Sequence, residues 1–345
     1  MTDRRLLVQA PLRGLSLQQV RYVATVPFGE ATGDTARVYR ELERDFGVLA
    51  PPVALHAPVP ELLAAAWVML RETMLVSSRA PRTAKEAVAS AVSVSNQCPF
   101  CTTMHTTMLD SLTARPLASG PGGRSGPTTD QLTAWITSAG KQPFAPDALP
   151  ELAGTALCLQ YLNRMVNIFL VSRPLPPHAP VRALGPVLRI LTGLMRGSAR
   201  GRTRPGASLS LLPDAPLPRD LAWASADPGI AGALARSTAA IEAVAEDLVP
   251  EQIRVLLNGE LDRWDGHDPG LGRAWLDAPL RELPPAERAA GKLALLTALA
   301  SYRVDEKIVA TFRQDGASDR EMLAITSWAS LQAARRRSRQ LIGDS

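Results

Sequence analysis

Asn96-Gln97-Cys98-Pro99-Phe100-Cys101-Thr102-Thr103-Met104-His105 is the stretch on which the reading of this chain turns. Two thiols stand three residues apart and an imidazole follows four residues after the second, so on a helix Cys101 and His105 share one face. Pro99 suits the first turn of a helix, where its missing N–H would have no partner. Cys98 then falls at the N-cap, and both sulfurs sit at the positive end of the helix dipole. That end and a nearby imidazolium both favour a thiolate, so at least one of the two cysteines is expected to have a lowered pKa.

Upstream, Ala84 to Ser95 carries small and apolar residues at helical spacing, with one carboxylate, Glu86, twelve residues before Cys98. If the helices on either side of Asn96-Gln97 fold back on each other, that carboxylate comes beside the motif and can orient the imidazole as a base. A structural zinc site is disfavoured, because it needs four ligands and the remaining Cys158, His56, His178 and His267 form no second pair at ligand spacing.

In the setting EAVASAVSVSNQCPFCTTMH, the residues Glu86, Cys98, Cys101 and His105 resemble the alkylhydroperoxidase D family within the carboxymuconolactone decarboxylase superfamily. The motif covers about residues 84 to 109, and similarity of general character extends from about 30 to 175. The resemblance implies an all-α, AhpD-like helical fold. It also implies that Glu86 and His105 form a proton relay, that Cys101 attacks peroxide and that Cys98 resolves the product. Phe100 stands where the best-studied peroxidases carry histidine and many other members carry an aromatic residue.

By this resemblance the chain is expected to be a thiol-dependent peroxidase that turns hydroperoxides over through a sulfenic acid and a disulfide. An external dithiol or small thiol would reduce it, with no metal, flavin or haem cofactor, and the family's habit suggests a homo-oligomer. Two alternatives stay open on the same residues. One is a thiol-disulfide oxidoreductase or biosynthetic enzyme acting on another substrate, and the other is a non-enzymatic redox sensor. Decarboxylation or lactone chemistry is disfavoured, because superfamily members of that kind generally lack the CxxC pair.

Composition supports helices over strands. The 345 residues are 46% hydrophobic but only 5% aromatic, and cores of Ala, Leu and Val with few strand formers point to close-packed helices. Basic residues outnumber acidic ones by 38 to 33, and arginine supplies nearly all of the positive charge. No aromatic residues interleave with the arginine runs to stack on bases, so nucleic acid is not an expected partner. Three cysteines with two in CxxC fit a reducing cytoplasm better than a secreted disulfide framework. Residues 1 to 14 do not resemble a signal peptide. No apolar run reaches membrane-spanning length, since Asn163, Arg164 and Asn167 interrupt the best candidate.

In chain order, residues 1 to 33 read as an irregular leader, and 34 to 195 as the lobe carrying the CxxC site. Asp34 or Thr35 is expected to cap a helix to about Phe46, Pro51-Pro52 to form a rigid connection, and Pro60 to open a buried helix. His56 reads as an ordinary surface or packing side chain. The Gly/Pro/Ser/Arg-rich run from Ala114 to Pro127 is expected to be a surface loop, followed by a capping box at Thr128-Thr129-Asp130-Gln131 for a helix ending at Gly140. Cys158 reads as a buried, inert thiol, whereas Asn163, Arg164 and Asn167 need partners inside an apolar helix.

Residues 196 to 218, including Arg196, Arg200, Arg202 and Arg204, read as a solvated linker. Residues 219 to 345 read as a second helical lobe without cysteines. A shift of 203 residues lays Glu86 on Ala289, Cys98 on Ser301, Cys101 on Val304 and His105 on Ile308, and Ser318 to Glu321 offers a capping box for the last helix. The second lobe is therefore expected to be a degenerate repeat of the first.

Overall fold

The computed structural model describes residues 2–114, 127–138, 141–176, 178–199, 203–270 and 272–343. Among these the fold is all-α and holds no sheet; the one strand-like pairing is an isolated bridge between Val20 and Leu170. The first helices are α1 (Thr2–Leu17), α2 (Gly33–Glu41), α3 (Pro51–Ala54), α4 (Pro60–Leu70) and α5 (Arg82–Ser95). They are followed by α6 (Pro99–Ala114), α7 (Thr129–Ser138), α8 (Leu149–Phe169), α9 (Leu184–Ala199) and α10 (Pro228–Leu248). The chain closes with α11 (Glu251–Arg263), α12 (Asp277–Arg281), α13 (Arg288–Ala300), α14 (Glu306–Arg313) and α15 (Asp319–Ile342). None of these helices is long and apolar enough to cross a membrane.

The centre is α8, buried over almost its whole length because it is apolar nearly all round. It packs against α5 on one side and α15 on the other, and α15 in turn carries α13. One continuous apolar core runs from Val38 to Ala334, so the two halves of the chain share an interior and are not separate bodies. The Ser318 capping box forms, with Glu321 N–H bonded to Ser318 Oγ and the Glu321 carboxylate returning to Ser318 N–H. Thr128 and Gln131 make the same reciprocal pair before α7.

Four sequence expectations need correction. The leader is not irregular, since Thr2–Leu17 is helical despite an internal Pro11. Tertiary contacts override the local signal: Gln9 Nε2 donates to the carbonyls of Glu43 (3.1 Å) and Gly47 (2.8 Å), and Arg13 forms a two-pronged pair with Glu43. The helix expected from Asp34 or Thr35 begins at Gly33 without a side-chain cap, and Pro51-Pro52 opens a short helix of its own. The run 203–218 is not a solvated tether either. Its buried Ser208 donates to Glu72 (2.7 Å), Gly206 N–H donates to the same carboxylate (2.8 Å), and Leu211 enters the core. Arg200 and Arg202 lie outside the described residues, as do Gly140 and most of the run from Ala114 to Pro127.

Helices α2 and α4 both end in π-helical turns, at Leu42–Phe46 and Arg71–Leu75. Such a turn adds a residue to the helical register and re-aims the side chains that follow. Here it directs Phe46 and Met74 toward the cavity described next.

Candidate active site

Helix α5 ends in a Schellman motif: Gln97 N–H bonds to Val94 O and Cys98 N–H to Ser93 O, both at 3.0 Å. Gln97 takes the left-handed conformation that this motif requires (φ 49°), although glycine is the usual occupant. The chain then turns directly into α6, whose first bond runs from Thr102 N–H to Cys98 O (2.9 Å), so Cys98 holds the expected N-cap position. From α8, Asn167 Nδ2 donates to Asn96 O at 3.0 Å and braces the turn.

This turn brings Glu86 of α5 against α6. Its two carboxylate oxygens are used separately: Oε1 accepts from Arg82 Nε (2.8 Å) and Oε2 meets His105 Nδ1 (2.8 Å). Glu86 is completely buried, which by itself would raise its pKa, but the Arg82 charge and the His105 contact outweigh burial and hold it below the usual carboxylate range. With Nδ1 committed to Glu86, Nε2 is the ring nitrogen left for chemistry. Arg82 was not singled out from the sequence, although its i, i+4 spacing to Glu86 was a readable signal.

Cys98 and Cys101 are free thiols and both are buried. Burial pushes the Cys101 thiol well above its usual range, and hydrogen bonding and charge from Cys98 push it further. The lowered value expected of at least one of the two cysteines is therefore not found at Cys101. A helix terminus contributes about 0.3–1 kcal/mol, whereas full burial of a charge shifts a pKa by up to roughly 3–5 units at about 1.4 kcal/mol each. Desolvation therefore wins at rest, and Cys101 becomes a thiolate only when its proton has somewhere to go. The third thiol, Cys158, is completely buried and pushed up to about 12 by burial, as an inert core cysteine should be.

Cys101 and His105 together border a cavity with about 980 Å³ of open space, its mouth included. Cys98 and Glu86 do not line it. Its walls are almost wholly apolar: Leu12 and Leu15 from α1, Phe46 and Met74 from the π turns, Leu159 and Leu162 from α8, and Val187, Leu191 and Met195 from α9. The sequence reading found the four motif residues that the structure brings together, but not the walls, because α1 and α9 are remote in sequence from the motif.

The other singled-out residues have structural partners. His56, fully buried, meets Tyr161 OH at 2.9 Å, and burial lowers its pKa to about 4, so it is a packing residue and not a surface one. Asn163 pairs with Ser93 (3.3 Å), and Arg164 donates to the carbonyls of Ala298 (2.9 Å) and Gln160 (2.6 Å). Among the described residues no group of three or more His, Cys, Asp or Glu side chains is arranged to hold a metal ion.

No family model matches the chain, and no solved structure matches it. Among curated proteins, it is similar to an alkyl hydroperoxide reductase of Mycobacterium tuberculosis, with 34% identity over 327 residues that cover 92% of this chain and 93% of that relative.

Proposed function

The chain belongs to the family of that alkyl hydroperoxide reductase, and from this premise we propose that it is a thiol peroxidase of the alkylhydroperoxidase D type that reduces organic hydroperoxides with an apolar body. One observation carries the reading: Cys101 and His105 face one apolar cavity while Glu86 stands behind the ring. A bulky apolar hydroperoxide is drawn in by burial of its hydrocarbon, worth about 25 cal/mol per Å² removed from water. Its peroxide group then lies against Cys101 and His105.

In the proposed cycle His105 Nε2 takes the Cys101 proton, and the Glu86 carboxylate stabilises the imidazolium that results. The thiolate attacks the distal oxygen, the O–O bond breaks, and the departing alkoxide takes the proton back from His105 as an alcohol. Cys101 is left as a sulfenic acid. The Cys98 thiol attacks that sulfur, forming the disulfide and releasing water. An external dithiol, or two equivalents of a small thiol, reduces the disulfide. The cycle calls on no metal, flavin or haem.

We also read residues 219–345 as a degenerate copy of the first lobe. The 203-residue shift carries α5 onto residues 285–298, which the 3₁₀ turn Pro285–Glu287 and α13 occupy, and α13 packs on α15 as α5 packs on α8.

The test of the cycle is sulfenic acid trapping. In Cys98→Ser, cumene hydroperoxide followed by dimedone should label Cys101, and wild type should consume the hydroperoxide continuously with dithiothreitol. Labelling elsewhere, or full turnover by Cys101→Ser, would sink the reading.

A further inference from the structure

The turn at Asn96–Gln97 also borders a second cavity, with about 420 Å³ of open space including its mouth, and none of the four thiol-centre residues lines it. Arg164, only 4% exposed, and Arg337 from α15 both line it. The two cations approach one indole: Arg164 Cζ lies 5.9 Å from the Trp264 ring centroid and Arg337 Cζ 6.0 Å from it. Trp264 is itself held by its Nε1–H bond to His267 O (2.6 Å). Gly266, at φ +92°, makes room for Arg337, because a Cβ there would fall 1.8 Å from Nη1.

Neither guanidinium forms an ion pair among the described residues. Arg164 spends Nε and Nη1 on Ala298 and Gln160, and its Nη2 has no hydrogen bond there; Arg337 spends Nη1 on Gln340 Oε1 (2.7 Å). The carboxylate at the rim, Asp268, is taken up by Gln97 (3.2 Å), Arg303 (2.9 Å) and Tyr302. Asp265 supports Arg337 through its charge without pairing with it. Two partly or wholly desolvated cations thus converge on one space with no carboxylate in direct contact among the described residues, an arrangement that proteins rarely leave uncompensated.

We propose that this cavity binds a small oxyanion, a carboxylate or phosphate group held by Arg164 and Arg337 beside the Trp264 ring. Arg337, with only Nη1 engaged, keeps Nε and Nη2 as a fork that matches the paired oxygens of either group, and Arg164 adds the single donor Nη2. Burial and the Arg337 charge both disfavour the cationic form of Arg164, and a bound anion relieves both. The site does not depend on the peroxidase reading, since no residue of the thiol centre enters it.

The experiment is a calorimetric and thermal-shift titration of the full chain with inorganic phosphate and, separately, with succinate, at constant ionic strength and with chloride as control. A saturable heat and a rising melting temperature with either anion are expected. Tighter phosphate binding identifies a phosphate-bearing ligand, and tighter succinate binding a carboxylate. Arg337→Gln removes one grip while leaving the buried α8 untouched, and should weaken binding roughly tenfold or more. Arg337→Lys, which keeps charge but loses the fork, should fall between. The proposal is overturned if neither anion binds saturably to wild type, if chloride gives the same shift, or if Arg337→Gln binds as tightly as wild type.

Discussion

Two turns in this molecule are braced by the same side chain and present different surfaces. Asn167 of α8 donates Nδ2 to Asn96 O, at the turn between α5 and α6, and to Ser301 Oγ, between α13 and α14, both at 3.0 Å. After the first turn a helix starts at once, so Cys101 sits in its first turn facing an apolar cavity. After the second, Val304 is still extended (φ −74°, ψ 110°) and α14 begins only at Glu306, capped by Asp305. Ser301 and Tyr302 face the cavity with Arg164 and Arg337 instead. Shared bracing therefore fixes where a turn lies, while the point at which the next helix starts decides what its side chains can do.

The largest expected effect tests whether the first turn alone carries chemistry. Cys101→Ser should reduce hydroperoxide consumption to the rate of the buffer, whereas Cys158→Ser should leave it near wild type. Activity surviving in Cys101→Ser would place the reaction elsewhere and erase the contrast between the turns.

Next comes Glu86→Gln, which keeps the shape and one acceptor oxygen but removes the charge shared by Arg82 and His105. Loss of general base assistance predicts a fall in turnover of about 10² to 10⁴. The alkylation profile of Cys101 should move to higher pH, because the imidazolium loses its counter-ion. Stability should respond as well. The folded pKa of Glu86 is lowered, so its contribution is complete above the ordinary carboxylate value and is lost as pH falls through the folded one. The urea midpoint of wild type should therefore drop more steeply than that of Glu86→Gln as pH is taken from 7 to 3. Superimposable alkylation profiles alongside this difference in stability would mean that Glu86 is only structural.

A smaller effect is expected from the walls. Leu191→Ser, on a half-buried position of α9, places a hydroxyl in the apolar cavity. The ratio of kcat/KM for cumene hydroperoxide to that for hydrogen peroxide should fall roughly tenfold, the scale of discrimination that a hydrophobic pocket provides. An unchanged ratio would show that the apolar hydroperoxide does not use this cavity.

How far the sequence was readable follows from the range over which each feature is encoded. The α5–α6 hairpin and the meeting of Glu86 with His105 were legible because spacing on two adjacent helices determines them. The capping boxes at Thr128 and Ser318 were legible for the same reason, since four consecutive residues suffice. Helix α1 was not, because Pro11 and Gly14 argue locally against it and what holds it, through Gln9 and Arg13, is a segment some thirty residues away. The rise in the Cys101 pKa was also hidden: the helix dipole is visible in the sequence, but the depth of burial that defeats it is not. The pair Arg164 and Arg337, neither of them in an ion pair among the described residues, joins helices that the sequence pattern gives no reason to place together.

The smallest effect is an expected absence of gain, and it tests the comparison most directly. If cysteines alone made the site, moving them to the second turn by Ser301→Cys and Val304→Cys, in a Cys98→Ser, Cys101→Ser background, would restore some turnover. We expect none above the background protein. Position 304 precedes the helix, so a thiol there gains nothing from the α14 terminus, where the Asp305 side chain already accepts from Ile308 N–H (3.0 Å). Ala289 and Ile308 stand where the shift would require Glu86 and His105, so no base can take the proton and no carboxylate can hold the base. Both positions are buried, so burial would push the new thiols up without offering a proton acceptor. The measurement is hydroperoxide consumption with dithiothreitol, alongside disulfide formation between residues 301 and 304 read by mass spectrometry. Turnover above background would show that a braced turn with two thiols suffices, and that the relay and the apolar cavity of the first lobe are refinements and not requirements.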